Sequence, residues 1–176
     1  LAETHKASFR KYLKERFIQV VNPKKAFLVN GEGNVEENIA ILTEELEKAP
    51  IDVALVGIGE NAHIAFNDPH VARFNDSERV KIVSLDNKCR MQQVHDGCFS
   101  TLERVPMSAF TLTIPALIAA KYMFCIVPSK TKNIAVFNTI NGPISESCPA
   151  SILRKKENAI LYLDSDSSEL LNKSVN

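Results

Sequence analysis

The sequence lacks a long hydrophobic run, a net charge and any Cys-X-X-Cys pair, and each absence excludes a class of protein. No apolar run approaches the roughly 20 residues of a membrane-spanning helix, and the amino end lacks the basic and then apolar pattern of a signal peptide. Because 21 basic residues balance 21 acidic ones, there is no general electrostatic attraction for nucleic acid or acidic membranes. We therefore expect a cytoplasmic protein that binds neither nucleic acid nor membrane.

The cysteine pattern gives no indication of a metal. The histidines are not interleaved with the thiols at the spacing of metal ligands, and the four cysteines are far apart, at Cys89, Cys98, Cys125 and Cys148. Structural zinc sites usually combine closely spaced pairs of such residues. The sequence therefore predicts no metal site and reduced, mostly structural thiols.

Short apolar segments alternate with amphipathic ones along the 176 residues, without a repeat, a low-complexity tract or a linker. Strands are predicted at residues 25–29, 51–56, 80–85, 110–114, 122–127 and 159–164. Helices are predicted from residue 7 onward, after a capping pattern at residues 34–37, over residues 87–94, from Pro115, and through residues 132–140, with a short helix-prone tail after residue 164. This alternation predicts parallel pairing and a three-layer α/β sandwich, as one domain over residues 1–176.

The first predicted helix carries a stripe of apolar side chains at helical spacing. Lysine, arginine and glutamate residues separate the members of this stripe, which is typical of an amphipathic helix. We expect the stripe to pack against the core; its members are Phe9, Tyr12, Leu13, Phe17 and Val20.

The loop at residues 57–69, GIGENAHIAFNDP, holds the strongest candidates for chemistry. Gly57 and Gly59 allow the chain to turn sharply at the carboxyl end of the strand at residues 51–56, where open α/β sheets bind ligands. His63 is a candidate acid–base group because an imidazole exchanges protons near neutral pH, although a structural histidine fits the spacing equally well. Asp68 could orient the second ring nitrogen or only bond its own backbone in the Asn-Asp-Pro turn.

A dinucleotide site is a weak alternative for the same glycines. The run GIGENA is only loosely similar to the Gly-X-Gly-X-X-Ala fingerprint, no clear helix follows it, and no acidic residue closes a second strand at the expected distance. We therefore expect no NAD.

The pattern Gly-X-Gly-X-X-X-His-Ile-Ala-Phe-Asn, followed by an acid and proline, resembles the signature of glucosamine-6-phosphate deaminases (isomerases). The resemblance continues through residues 85–90, 105–106, 132 and 149–151, so it covers nearly the whole chain. It implies a Rossmann-like α/β fold with a mainly parallel sheet and conversion of an amino-sugar 6-phosphate to fructose 6-phosphate and ammonia. General acid and base groups suffice for this isomerisation, so no cofactor is implied. The resemblance leaves a homo-oligomer open.

The resemblance also implies roles for single residues. His63 would open the sugar ring, with Asp68 and Asn61 orienting its imidazole. Lys132 matches the phosphate-binding lysine of the family, and Lys130 is near enough in sequence to compete for that assignment.

Two further positions match the family's phosphate contacts less well. Arg90 fits a Thr-Arg pattern in part, with Cys89 in place of the threonine. His95 falls where the family has a phosphate-contacting arginine. A histidine there should weaken phosphate binding, because it offers fewer donors than a guanidinium group.

Several positions depart from the family pattern. Asn61 stands where aspartate is usual, Ala62 where glycine is usual, and Asp68 where the family has glutamate. If position 62 needs a positive φ, the loop carries about 1 kcal/mol of strain or more. The Asp-Glu-Tyr motif, whose aspartate moves a proton between the first two sugar carbons in the family, is absent from residues 1–176. We therefore expect the chain to start just after that motif and to lack this base.

Two other functions compete with the deaminase. A 6-phosphogluconolactonase-like hydrolase shares the glycine turn and the histidine, but the run HIAFN at residues 63–67 argues against it. A non-catalytic sugar-phosphate binder would fit the departures at Asn61, Ala62 and His95.

Overall fold

The computed structural model describes residues 1–172 and contains a parallel sheet of three strands. In chain order, five strands are found over the described residues: β1 (Val53–Val56), β2 (Val80–Ser84), β3 (Ser108–Leu112), β4 (Tyr122–Val127) and β5 (Ala159–Leu163). The parallel sheet has the order β1-β4-β5, with β4 in the centre. The predicted α/β class with parallel pairing is confirmed, and the single domain over residues 1–176 stays a prediction.

The second sheet corrects one prediction. β2 and β3 form a separate antiparallel pair, with Val80 opposite Leu112 and Ser84 opposite Ser108. Both segments were correctly predicted as strands, but not as members of the parallel sheet. Polar residues interrupt both apolar runs at Lys81 and Thr111, which lie opposite each other, whereas a strand covered on both faces in a parallel sheet is usually a continuous apolar run.

The described helices begin close to the predicted positions, although α1 begins two residues after residue 7 and α5 begins one residue before Pro115. They are α1 (Phe9–Leu13), α2 (Gln19–Val21), α3 (Val35–Glu47), α4 (Asn87–His95), α5 (Ile114–Ile118), α6 (Asn133–Asn141) and α7 (Glu169–Asn172), with a π-helical turn at Lys14–Ile18 between the first two. Short 3₁₀ helices occur at Leu102–Arg104, Lys130–Lys132 and Pro149–Lys155. The predicted helix-prone tail includes α7, and its last residues, 173–176, lie outside the described part.

Side-chain caps explain several of these starts. Four helices begin after a residue whose side-chain oxygen accepts a hydrogen bond from the backbone N–H three residues later, which satisfies one of the free donors of the first turn. The capping residues are Ser8, Asn34, Asp86 and Thr113. Pro115 lies in the first turn of α5, as predicted.

The predicted strand at residues 25–29 is wrong. This segment pairs with no strand among the described residues, and Phe27 and Val29 are exposed. β propensity describes how well a residue fits a pleated surface, so an apolar segment without a partner strand does not form one.

The expected packing of the first helix is also wrong. Its apolar stripe is exposed, from 39% at Leu13 to 76% at Val20. The helical spacing was therefore read correctly, but it does not identify a buried face here.

The two faces of the parallel sheet differ in burial. Side chains alternate across a strand, and on β4 the residues Met123, Cys125 and Val127 are at most 1% exposed. They form the main core with Leu117 of α5 and Val136 of α6. The opposite face carries exposed apolar side chains, namely Val53, Leu55, Tyr122, Ile126, Ile160 and Tyr162.

Among residues 1–172, the structure contains no helix that is both long enough and apolar enough to cross a membrane.

Candidate active site

The glycine loop follows β1 directly and is held by its own backbone. The N–H of Gly59 donates to the carbonyl of His63 at 2.9 Å, and the N–H of Ala62 donates to the carbonyl of Gly59 at 2.9 Å. Ala62 and Ala65 both have left-handed backbones, with φ of 65° and 51°. The loop therefore does need a positive φ at position 62, and an alanine adopts it there at a cost of about 1 kcal/mol.

Asn67 ties this loop to the antiparallel sheet. Its Nδ2 donates to the carbonyl of Leu112 at 2.8 Å and to that of Ile64 at 3.0 Å. The Asn67 side chain is fully buried. The loop thus joins the carboxyl end of β1 to the end of β3, and His63 lies on a braced segment.

Gly59 leaves space for the imidazole. A Cβ at this position would lie 2.1 Å from Cε1 of His63 and 2.3 Å from each ring nitrogen. Since real side chains never approach so closely, any other residue at 59 would displace the ring. At Gly57, by contrast, a Cβ would meet the carbonyl of Ile126 at an ordinary 3.5 Å.

The ring of His63 is oriented by two acceptors at one nitrogen. Its Nδ1 lies 2.6 Å from Oδ1 of Asn61 and 3.0 Å from Oδ1 of Asp68. Because both neighbours accept, the proton of the neutral ring belongs on Nδ1. Nε2 then carries a lone pair that can accept a proton from a ligand.

Asn61 connects two carboxylates through its amide group. Its Nδ2 donates to Oδ1 of Asp68 at 2.9 Å and to Oδ2 of Asp86 at 2.6 Å. These acceptors fix the orientation of the amide, so that its Oδ1 faces His63 and also accepts from the backbone N–H of His63 at 3.1 Å. An aspartate at position 61 would lose both donors and bring three carboxylates together.

Asp68 remains ionised despite its burial. Burial raises the pKa of this fully covered carboxyl group. Hydrogen bonds from His63, Asn61 and the backbone N–H of Asp86 together outweigh burial, so the pKa lies below its ordinary value. A buried anion therefore lies 3.0 Å from Nδ1 of the imidazole.

Cys89 lies in the first turn of α4, beside the same carboxylate. Burial raises the pKa of its thiol to about 12, and the charges of Asp68 and Asp86 act in the same direction. Its Sγ, a ring nitrogen of His63 and a carboxylate oxygen of Asp68 all lie within 4.8 Å of one another.

A cavity of about 380 Å³ opens next to His63. Its walls come from the amino-terminal helix, the glycine loop and α4, and the polar and thiol side chains among its lining residues are Lys6, Ser8, His63, Cys89, Gln92, Gln93, Asp96 and Cys98. The volume is within the range of small-molecule sites. The cavity therefore places a ligand-sized space against the oriented imidazole.

Lys132 has a buried amine without a partner. Its Nζ is inaccessible to solvent and makes no hydrogen bond among the described residues. Burial lowers the pKa of this amine, while the charges of Glu60, Asp96 and Cys89 partly oppose that shift. Asp96 lines the cavity beside His63, whereas Lys132 is not among its lining residues.

Lys130 differs from Lys132 in both respects. Its side chain is 72% exposed, and its Nζ lies 3.4 Å from a carboxylate oxygen of Glu169. The geometry thus favours Lys132 for the anion-binding role, and that role stays a prediction.

The two predicted contacts on α4 are placed differently. The guanidinium group of Arg90 donates to the carbonyls of Leu102 at 2.7 Å and Val105 at 3.2 Å, so it braces the following turn. His95 is 55% exposed, and its Nδ1 lies 3.7 Å from a carboxylate oxygen of Glu60. Neither side chain meets His63 in the part of the chain that the structure describes.

Asp86, which caps α4 and accepts from Asn61, was not predicted as a site residue. A signal for it exists, because an aspartate directly before a predicted helix is a typical N-cap. Gln92 and Gln93, which the sequence offers as contacts for sugar hydroxyl groups, both line the cavity. Gln92 also braces the loop, because its Oε1 accepts from the N–H of Glu60 at 3.0 Å.

Comparison with known proteins identifies the family. The sequence profile of Glucosamine-6-phosphate isomerases/6-phosphogluconolactonase matches residues 1–162, and the chain belongs to this family. Among its relatives, the glucosamine-6-phosphate deaminase of Listeria monocytogenes serotype 4a (strain HCC23) is 32% identical over 172 residues, which are 97% of this chain and 71% of the relative.

Solved structures agree with the observed fold. A monomeric glucosamine-6-phosphate deaminase superposes with a TM-score of 0.88 at 28% identity, over 97% of this chain and 70% of that one. The 6-phosphogluconolactonase of Thermotoga maritima gives a TM-score of 0.71 at 17% identity, over 93% and 67% of the two chains. The predicted Rossmann-like fold and the family resemblance are therefore confirmed.

Proposed function

We propose that this protein acts on an amino-sugar 6-phosphate as a glucosamine-6-phosphate deaminase, with fructose 6-phosphate and ammonia as products. The main observation in support of this proposal is the orientation of His63 beside a ligand-sized cavity. Asn61 and Asp68 both accept at Nδ1, which places the ring proton on that nitrogen. The deaminase among the relatives supports this choice over the lactonase, whose similarity at 17% identity concerns the fold alone.

Ring opening is the step that this geometry suits. The lone pair on Nε2 of His63 would accept the proton of the hydroxyl group on C1, and the imidazolium would return a proton to the ring oxygen as the C1–O5 bond breaks. The ionised Asp68 would stabilise the imidazolium in between, while Asn61 keeps the ring in position. The product is the open-chain aldehyde.

Phosphate recognition is assigned to Lys132. An unpaired buried ammonium is costly, and a phosphate dianion that reached its Nζ would satisfy it. The Asp-Glu-Tyr motif, which carries the base for proton transfer between C2 and C1 in the family, does not occur in the printed sequence. We therefore assign ring opening and phosphate binding, but not this proton transfer, to named residues.

Ring opening can be measured without the later steps, because it interconverts the two anomers of the sugar. We expect the chain to accelerate anomer exchange of glucosamine 6-phosphate, observed by NMR exchange spectroscopy, and His63→Gln to abolish the acceleration. General acid–base catalysis typically contributes about 10²–10⁴-fold. Glucose 6-phosphate serves as the control substrate for selectivity toward the amino sugar.

Parallel assays distinguish the competing functions. Ammonia release that depends on His63 would support the full deaminase reaction. Binding of the sugar phosphate without anomer exchange would indicate a non-catalytic binder and contradict the proposal. Rapid hydrolysis of 6-phosphogluconolactone would favour the lactonase instead.

A further inference from the structure

We propose that His63, Asp68 and Cys89 form a binding site for a zinc ion. This site goes beyond the proposed function, and it contradicts the expectation from cysteine spacing that the chain binds no metal. The three ligands come from two elements, the glycine loop and α4. No short sequence motif therefore predicts this site. They are neutral imidazole, carboxylate and thiolate, which is a combination that zinc prefers.

The donor atoms are close to the required arrangement. They lie within 4.8 Å of one another, and the Nδ1–Oδ1 distance between His63 and Asp68 is 3.0 Å. Tetrahedral zinc with Zn–S near 2.3 Å and Zn–N near 2.0 Å places its ligand atoms about 3.3–3.6 Å apart. Movements of about 1 Å in flexible side chains therefore complete three ligands, and the cavity beside His63 and Cys89 provides the route for the ion and a water for the fourth position.

The charges and protons of this site balance. Zinc replaces the proton of the Cys89 thiol, which leaves to solvent, and the ring proton of His63 moves from Nδ1 to Nε2. The thiolate and the Asp68 carboxylate then neutralise the dication, so no net charge is buried. Asn61 and the N–H of Asp86 continue to donate to Asp68 and orient it as a ligand.

A neighbouring group of potential ligands, Asp68, His70 and Asp86, is less suitable. Oδ1 of Asp86 accepts from the N–H of Cys89 at 2.7 Å and so caps α4. His70 is exposed, and its Nε2 bonds the hydroxyl group of Ser84. A metal there would have to displace the cap of α4.

Zinc binding would inhibit the proposed ring opening by His63. The ion would take Nδ1 of His63 and the carboxylate that stabilises its imidazolium, and this consequence rests on the proposed function. The binding itself does not, since it is measured without a substrate.

Cobalt(II) replaces zinc in such sites and reports its ligands by colour. We expect Co²⁺ to give a near-ultraviolet thiolate-to-metal band at one equivalent, with release of one proton as it binds. Zn²⁺ should then displace the cobalt and remove the band without further proton release. Cys89→Ser should remove the band and weaken zinc binding more than about 100-fold, because even the loss of an outer-shell partner costs 10–100-fold. Cys98→Ser, a thiol on the same cavity, should leave the band unchanged.

X-ray absorption of the unaltered protein with one equivalent of zinc gives a test that needs no variant. One sulfur at about 2.3 Å and nitrogen or oxygen ligands at about 2.0 Å are expected. A zinc environment without sulfur, or a cobalt band that survives Cys89→Ser, overturns the proposal. Anomer exchange in metal-free protein tests the proposed deaminase function separately. Either the zinc site or the deaminase function can therefore be rejected without the other.

Discussion

Asn61 holds an imidazole and two carboxylates in place through one amide group. Its Oδ1 faces Nδ1 of His63 at 2.6 Å, while its Nδ2 faces Asp68 and Asp86. The family usually has an aspartate at this position, so the asparagine removes a negative charge. In this site it is a donor between two acids, which an aspartate cannot be.

Asn61→Asp should therefore destabilise the protein. The change removes two hydrogen bonds to charged groups, each worth about 1.5–3 kcal/mol, and adds repulsion among carboxylates. We expect the free energy of unfolding at pH 7, measured by urea titration, to fall by at least about 2 kcal/mol. The double variant Asn61→Asp with Asp86→Asn should recover part of the loss, and an unchanged single variant would show that the amide does not bridge the two acids.

Substitution of Lys132 should increase the stability of the protein and weaken its binding of phosphate. Lys132→Gln removes a buried unpaired ammonium and should raise the free energy of unfolding without ligand by about 1 kcal/mol. The rise in Tm that inorganic phosphate gives the unaltered protein should disappear in this variant. Differential scanning calorimetry with and without phosphate measures both effects.

Lys130→Gln is the matched control for that experiment. Its amine is exposed and paired with Glu169, so both Tm values should resemble those of the unaltered protein. If Lys130→Gln, and not Lys132→Gln, abolishes the phosphate effect, the assignment of the anion site is wrong.

Asp68 should give the fold an acid-sensitive contribution. Its pKa is lowered in the folded state, so its stabilising contribution is present above its ordinary value of 3.8 and is lost as the pH falls through the lower, folded value. Asp68→Asn should reduce the free energy of unfolding by about 2 kcal/mol at pH 7 and flatten its dependence on pH below about 4. Urea titrations from pH 2.5 to 7 check this, with Asp52→Asn at an exposed position as the control; equal slopes in both variants would contradict it.

At the scale of elements, the turn after β4 stores strain next to the anion site. Ser129 has φ 89° and ψ 142°, a conformation that only glycine adopts easily, and it directly precedes the 3₁₀ helix Lys130–Lys132. Its N–H donates to Oδ2 of Asp164 at 2.9 Å, which holds the turn at the end of β5. The strained turn therefore fixes the start of the 3₁₀ helix that carries Lys132.

Ser129→Gly should stabilise the protein. Relief of the left-handed backbone gains about 1–3 kcal/mol, and the greater freedom of glycine in the unfolded chain offsets about 0.5–1 kcal/mol of it. We expect a net gain of about 1 kcal/mol in thermal or urea unfolding. Ser129→Ala removes the hydroxyl group but keeps the Cβ, so a similar gain in that variant would contradict the strain argument.

The elements also show which predictions needed information beyond local pattern. Strands β1, β4 and β5 are short apolar runs bounded by turns, and their local pattern was sufficient. The segment at residues 25–29 has the same local pattern, but a strand needs a partner that only the assembled sheet supplies. In the site, residue chemistry identified His63, whereas the bridge from Asn61 to Asp86 depends on a contact across 25 residues.

At the scale of the whole molecule, burial is concentrated on one side of the parallel sheet. A stretch of apolar residues predicts a strand but does not say which face is covered, because both faces of β1, β4 and β5 are apolar. The structure places the core on the face of Val127 and leaves Ile126, on the opposite face, 48% exposed. Contiguous apolar surface of this kind often marks an interaction site or a tendency to aggregate.

Two adjacent residues on β4 test this asymmetry. Val127→Asn buries an amide in the core and should lower the free energy of unfolding by about 3 kcal/mol or more, through lost burial and an unsatisfied polar group. Ile126→Asn points to the open face and should cost less than about 1 kcal/mol, while reducing concentration-dependent association in sedimentation velocity. If Ile126→Asn destabilises the protein as strongly as Val127→Asn, the face of Ile126 is covered in solution, and the second copy that covers it would appear as a dimer in the same sedimentation experiment.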